Sequence, residues 1–415
     1  MITMIEKNKL LTSLGNIVEW FDFSLYGFFG IIFSEVFFPK DNSHIRSLLM
    51  TYGIFAAGFA SRPLGGLMLG VCGDKYGRLF ALRMTPIMMT ISTAAIAFLP
   101  TYEQAGYLST LLLIILRIAQ GILVSGEFSG NIAYLYEISK KWKYFWASAA
   151  SLTATLGTFL ASIVAWVSYE FLPEKFLHTY GWRIAFLLTI PFGIAAHIAR
   201  IHMEESPEFK FCGGTSNPIK LLISKHRHNF FRCLFISCLT ATIFYFTFLF
   251  LPVFLIRYRN FAEENSLLRN SIFLLLHIIT IPIFAILVNK IGIYKANIIA
   301  ILSAMILSIP CFYWICYGNQ WKIFTSFTCL ALLNSFLASV TPGLITKMTP
   351  VEVRCITLSM VINFVYGIFA GLMPVWGLFL VKSTNNLMAP GIYLFFISAI
   401  SLTASVFSTK NLGSI

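Results

Sequence analysis

Gly70-Val71-Cys72-Gly73-Asp74-Lys75-Tyr76-Gly77-Arg78 is a short polar break between two long apolar runs. A reversal this tight between helices calls for glycine. Lys75 and Arg78 suit the headgroup level of a bilayer. Asp74 can accept from a helix N-terminus or pair with a base on a neighbouring span, and either contact latches one face of a helical bundle. A weaker copy, Lys290-Ile291-Gly292-Ile293, follows 215 residues later, with Asn289 where the acid would be. A latch there is expected to be weaker.

Outward from that loop the chain is apolar. Of its 415 residues 58% are hydrophobic and 11% charged, against roughly 25% charged in a soluble domain. A soluble enzyme is excluded, and lipid must be the main solvent. The apolar runs predict twelve spans, at about 11–38, 46–72, 80–100, 107–138, 145–169, 183–202, 230–256, 269–288, 296–317, 321–346, 355–381 and 389–408. The expected fold class is an all-α membrane protein with twelve transmembrane helices in two six-helix halves, the halves covering 1–202 and 230–415 and a cytoplasmic central loop covering 203–229. With the N-terminus inside, the cytoplasmic segments hold 19 Lys and Arg and the external loops 9. That bias places both termini in the cytoplasm. The net charge of +13 is read as this topology signal rather than as a nucleic-acid surface. Eight scattered cysteines form no CxxC pair and read as small hydrophobes, with no disulfide framework and no metal site. The first run carries Glu19 and Asp22 and is too long and acidic for a cleavable signal peptide.

The loop at 70–78 resembles the cytoplasmic loop signature of the major facilitator superfamily, departing from it at Leu79, where a further basic residue is common. Other stretches narrow the resemblance: Gly15-Asn16-Ile17-Val18-Glu19-Trp20-Phe21-Asp22-Phe23-Ser24-Leu25-Tyr26-Gly27, Ala60-Ser61-Arg62-Pro63-Leu64-Gly65, Arg117-Ile118-Ala119-Gln120-Gly121, Gly126-Glu127-Phe128, Gly181-Trp182-Arg183 and Glu205-Ser206-Pro207-Glu208-Phe209. Together they are similar to the metabolite:proton symporter family, which includes proline/betaine, citrate, α-ketoglutarate and shikimate carriers. The second half keeps Pro350, Arg354 and Asn363 in similar places. The resemblance implies the major facilitator fold and proton-coupled uptake of a small organic solute by alternating access across a bacterial inner membrane.

Ionisable residues inside spans mark function or buried pairing. Glu19, Asp22, Arg62, Arg117 and Glu127 stand out, all in the first half. Asp22 and Arg117 lie at similar depth and are expected to meet at mid-membrane. A carboxyl in a low-dielectric cavity can carry a proton, so Asp22, Glu19 and Glu127 are the proton-coupling candidates. Arg117 is the candidate anchor for a solute carboxylate. Trp20, Tyr26, Tyr245, Tyr366 and Trp376 are the candidate aromatic cage for a cationic headgroup. Arg62, Gly70, Asp74, Lys75, Gly77, Arg78, Gln120 and Gly121 are the gating candidates. His277 reads as a bonded interior histidine.

Three other classes compete. A primary pump needs a GxxxxGK[ST] loop, and none occurs. A membrane enzyme needs a nucleophile–base or metal constellation; His226 and His228 have no acidic or Cys partner at ligand spacing. A channel or solute-sensing protein is the distant alternative. The balance of deep arginines and acids suits a zwitterion such as proline or glycine betaine, with a mono-, di- or tricarboxylate as the alternative. The expected partners are the solute, a proton and the bilayer, with no cofactor, nucleic acid or obligate protein partner. About seven residues follow the last run and carry no heptads, so the coiled-coil osmosensing of some relatives is not expected.

Overall fold

In lipid every backbone N–H and C=O must be paired within the segment, so an apolar chain without barrel alternation becomes helical. The computed structural model describes residues 4–39, 44–261 and 263–410, and among these no strand forms. Eleven helices are long and apolar enough to cross a membrane, and a twelfth span is bent. We number the twelve in chain order.

The bent span is α1, Met4–Phe28 continuing as Gly30–Val36 after a 59° bend. It was expected as one run. The rest of the first half comprises α2, His44–Ala60 followed by Arg62–Lys75; α3, Arg78–Ala97; α4, Tyr107–Ile138; α5, Lys143–Phe171; and α6, Glu174–Ile201. Two short helices, Pro207–Cys212 and Pro218–Lys225, occupy the polar interval. Then follow α7, Arg227–Arg259; α8, Glu263–Ile291; α9, Ile293–Tyr317; α10, Gln320–Met348; α11, from Arg354–Phe364 to Met373–Thr384; and α12, Ala389–Lys410. Two π-helical turns interrupt the second half, Phe246–Phe250 in α7 and Val365–Ala370 in α11.

The halves meet where α2 and α4 pack on α11, and where α5 packs on α8 and α10. Small residues permit the first of these contacts. A Cβ on Gly70 would stand 2.7 Å from the Ile356 Cα, and one on Gly66 would stand 2.8 Å from the Ser359 carbonyl oxygen. Gly77 turns the chain between α2 and α3 at φ 111°, a conformation that L side chains rarely adopt.

Candidate functional site

Three polar systems lie inside the bundle. The first is the face that bears the 70–78 loop, where the halves are latched. Asp74 is 1% exposed. It accepts from the backbone N–H groups of Cys355 and Ile356, each at 2.9 Å, and so caps the first turn of α11. It also pairs with Arg78 at 2.9 Å. Arg78 reaches Glu137 at 3.1 Å and donates to the Val351 carbonyl at 2.7 Å. Arg354 of α11 pairs with Glu137 at 2.7 Å and Glu208 at 2.6 Å, and Glu208 pairs with Lys143 at 3.0 Å. Ser206 donates to Glu137 as well. Residues from α2 to α5, the central segment and α11 thus form one charged network. Charged hydrogen bonds of this kind contribute about 1.5–3 kcal/mol each, so this face is closed. Of the expected gating residues, Gly70, Asp74, Gly77 and Arg78 lie here. Lys75 is at the rim, its ammonium 5.2 Å from the Tyr76 ring.

The second system is buried within the first half. Glu127 pairs with Arg200, which lies near the end of an apolar run and is not among the expected site residues, and both are fully buried. Arg200 also donates to the carbonyls of Leu82 at 2.8 Å and Thr12 at 2.9 Å, and Thr85 donates to Glu127 at 3.0 Å. A Cβ at Gly15 would stand 2.6 Å from the Arg200 Nε, which gives that glycine its reason. Glu19 is buried beside this pair, its carboxyl against that of Glu127, and it forms no ion pair among the described residues.

Asp22 and Arg117 do not form the expected pair. Asp22 is buried against Thr93 and likewise forms no ion pair among the described residues. Arg117 donates to Gln120 at 2.7 Å and to the Phe23 carbonyl at 3.3 Å, and Gln120 donates to Thr93 at 2.8 Å. Gln120 and Thr93 therefore stand between the two charges. The Arg117 guanidinium is 4.3 Å from the Tyr26 ring and 4.6 Å from the Phe23 ring. Its surroundings all belong to the first half. Gln120 thus bridges Arg117 and Thr93 and lies apart from the latch. Gly121 likewise serves packing within the half, against Gly58 and Ser61.

The third system lies between the halves. Trp20, Phe128, Tyr366, Tyr245, Phe59 and Phe23 form a closed ring of aromatic contacts, with successive centroids 5.7, 6.1, 6.0, 6.0, 5.2 and 6.2 Å apart. Tyr245 immediately precedes one π turn and Tyr366 lies in the other. Such turns often mark functional positions in helices. Arg62 sits against the ring, its Cζ 5.4 Å from Trp20, 5.6 Å from Phe59 and 5.7 Å from Tyr366. Its Nε donates to Asn363 of α11 at 3.0 Å, so Arg62 belongs to this centre and not to the latch. Two members of the expected cage lie elsewhere. Tyr26 turns to Arg117 and donates to the Thr51 carbonyl at 3.1 Å. Trp376 is 43% exposed and stacks on Phe379. Phe23, Phe59 and Phe128 take their places. Phe23 and Phe128 adjoin Asp22 and Glu127 in the quoted motifs, the one signal that could have found them. Bordering Phe128 and Tyr366 is a cavity of about 20 Å³, room for about one water. His277 is bonded to Ser335 at 2.8 Å.

The family model described as Major Facilitator Superfamily matches residues 12–374. The proline/betaine transporter of Salmonella typhimurium is 29% identical over 98% of this chain and 84% of its own length. A putative proline/betaine transporter of Staphylococcus aureus is 30% identical over 97% of this chain and 88% of its own length. Among solved structures, the proton:xylose symporter XylE bound to 6-bromo-6-deoxy-D-glucose superposes with a TM-score of 0.78 at 18% identity, over 98% of this chain and 95% of that one. The chain belongs to the major facilitator superfamily.

Proposed function

We propose that this integral membrane protein is a proton-coupled symporter that takes up a small zwitterion of the proline or glycine betaine class by alternating access. The observation that carries the reading is the pair of buried carboxyls, Glu19 and Asp22, three residues apart on α1, which lie against Glu127 and Thr93 and form no ion pair among the described residues. Holding either one charged in that setting costs several kcal/mol, and a bound proton removes the cost. A group of this kind can load a proton when water reaches it from one side and release it when access switches. The relatives named proline/betaine transporters support the solute class. Arg62 and the aromatic ring give one cationic and several cation-binding surfaces between the halves, which suits a molecule carrying both signs.

The proposal includes orientation. The 19 to 9 bias of Lys and Arg puts both termini in the cytoplasm. The latch is then the cytoplasmic gate, shut in this structure, with moving halves 1–202 and 230–415 joined by the cytoplasmic segment 203–229. Reporter fusions after Lys210 and after Lys410 should both give cytoplasmic signals; an external signal at either one sinks the orientation.

The functional test is uptake into proteoliposomes. Labelled proline, glycine betaine and α-ketoglutarate are offered with and without an inward proton gradient, and counterflow is measured in the same vesicles. Accumulation of a zwitterion only with the gradient, together with counterflow, is expected. Accumulation of α-ketoglutarate alone would move the reading to the carboxylate carriers. Conductive flux without counterflow would end it.

A further inference from the structure

We infer that Arg62, rather than Arg117, holds the carboxylate of the solute, with the Trp20 indole N–H as a second donor and the aromatic ring receiving the solute's cationic end. The inference rests on the transport reading above and names the ligand chemistry of its site.

Four observations lead there. Arg62 is fully buried, and both its Nη1 and Nη2 lack a hydrogen-bond partner, as does the Trp20 Nε1. Those two nitrogens are one edge of a guanidinium, the edge that matches a carboxylate in a bidentate pair. Second, the other edge is fixed: Nε donates to Asn363, whose own amide donates to the Ser125 carbonyl at 2.8 Å and the Ser359 carbonyl at 2.8 Å. The fork is therefore aimed by the second half while carried by the first. Third, the ring faces around it come from α1, α2, α4, α7 and α11, so a ligand held there touches both halves, as alternating access requires. Arg117 is also buried with its Nε and Nη2 unpartnered, but its hydrogen bonds and nearest rings stay within the first half, so a ligand held there would not touch both halves. Fourth, cations favour ring faces, and in this state the guanidinium itself lies against them. A ligand carboxylate on the fork offsets that charge, so the same rings can take an ammonium.

The order of events follows from charge. Arg62 lies against the ring of Trp20, the residue that follows Glu19 in α1. An anion on Arg62 makes a second negative charge nearby less favourable, so carboxylate binding promotes protonation of Glu19, and protonation promotes binding. Asn363 is a positioning residue, acting through Arg62.

The test uses full-length protein in proteoliposomes, with labelled glycine betaine and proline as probes. Choline and prolinamide keep the cationic centre and lose the carboxylate. In wild type, unlabelled betaine and proline should block betaine counterflow, and choline and prolinamide should not. Trp20→Phe keeps the aromatic bulk and loses the N–H; its KM should rise about tenfold with the maximal rate retained. Arg62→Lys keeps the charge and loses the fork, and its KM should rise further. Asn363→Ala should raise KM about as much as Trp20→Phe, again with the maximal rate kept. Ligand stabilisation is measured in parallel as the thermal shift of purified protein with betaine against choline. Equal competition by choline, or wild-type KM in both Trp20→Phe and Arg62→Lys, overturns the inference. Stabilisation by betaine but not choline, without counterflow, leaves the carboxylate site standing and removes the transport reading. Neither stabilisation nor counterflow with either zwitterion overturns both.

Discussion

The loop after α2 and its counterpart after α8 face the same task, reversing the chain between two membrane helices, and solve it with different chemistry. In the first, Asp74 caps α11 across the half-to-half boundary and Arg78 ties it to Glu137. In the second, among the described residues, Asn289 bonds to the Ala285 carbonyl of its own helix, at 2.8 Å, and to nothing across the boundary. The nearby Lys347 lies over aromatic rings, 4.5 Å from Tyr294 and 5.9 Å from Tyr144, with no acid in reach among the described residues. The difference extends inward. The first half buries Glu19, Asp22, Arg62, Arg117, Glu127 and Arg200; the second buries Arg354 at its edge and neutral His277 contacts such as Ser335. Charge inside a membrane protein is retained where it does work or is paired. The proposed proton handling therefore rests on the first half, and the second contributes the tyrosines that complete the ring.

The sharpest way to break this division is to unpair its deepest ion pair. Arg200→Ala leaves Glu127 buried beside Glu19 without its cation, and breaking a buried pair costs about 3–5 kcal/mol. Loss of most folded protein from the membrane is expected, read by size-exclusion of detergent extracts. Adding Glu127→Gln should restore a substantial part of it. Equal yields of Arg200→Ala and wild type would show that the pair is not structural.

The next effect separates coupling from folding. Asp22→Asn is a mimic of the permanently protonated acid. Gradient-driven accumulation should fall to about the equilibrium ratio, while counterflow continues, since exchange need not release the proton. Glu19→Gln should behave alike. Continued accumulation in Asp22→Asn with its loss in Glu19→Gln would place the proton site on the Glu19 side of the network.

These residues show where sequence carries information and where it stops. A charge in an apolar run is visible without a structure, because its desolvation cost is set by the run itself. Glu19, Asp22, Arg62, Arg117 and Glu127 were legible for that reason, and so were twelve spans and the latch at Asp74. Partner choice was not legible, because it depends on how each helix is rotated about its axis. Arg200 and Glu137 lie at ends of runs, where they look like interfacial anchors. Asp22 and Arg117 share a depth but not a facing direction. The ring was hidden for another reason: with 41 phenylalanines in the chain, nothing in composition selects Phe23, Phe59 and Phe128. The bend of α1 after Phe28 falls inside an unbroken apolar stretch and left no mark in hydropathy.

A smaller change addresses the two loops directly. Asp74→Asn retains one acceptor oxygen but replaces the other with a donor, so one backbone N–H of α11 goes unanswered and Arg78 is left with Glu137 as its one acid. At about 1.5–3 kcal/mol for a hydrogen bond to a charged group, the latched face should open more readily and initial uptake should slow several-fold at equal expression. Asn289→Asp adds an acid where no helix N-terminus has been recruited, and should change uptake less. Unchanged rates in Asp74→Asn would reduce the loop to a topology signal.

The smallest expected effect tests the outer edge of the latch. Glu208 is half-buried in the central segment. Burial raises its pKa, but hydrogen bonds from Arg354 and Lys143 and their charges lower it further, and the net position is below the usual carboxylate value. A depressed native pKa means that the folded protein binds the proton less well than the unfolded chain. The contribution of Glu208 is therefore complete above the ordinary glutamate value of about 4.3 and is lost as pH falls through the lowered one. Glu208→Gln should leave uptake within about twofold at neutral pH, since partly exposed pairs contribute little. Its thermal stability in detergent, followed from about pH 6 to about pH 3, should fall less steeply than that of wild type. Parallel curves would mean that Glu208 titrates alike in both states, and that Arg354 is held by Glu137 alone.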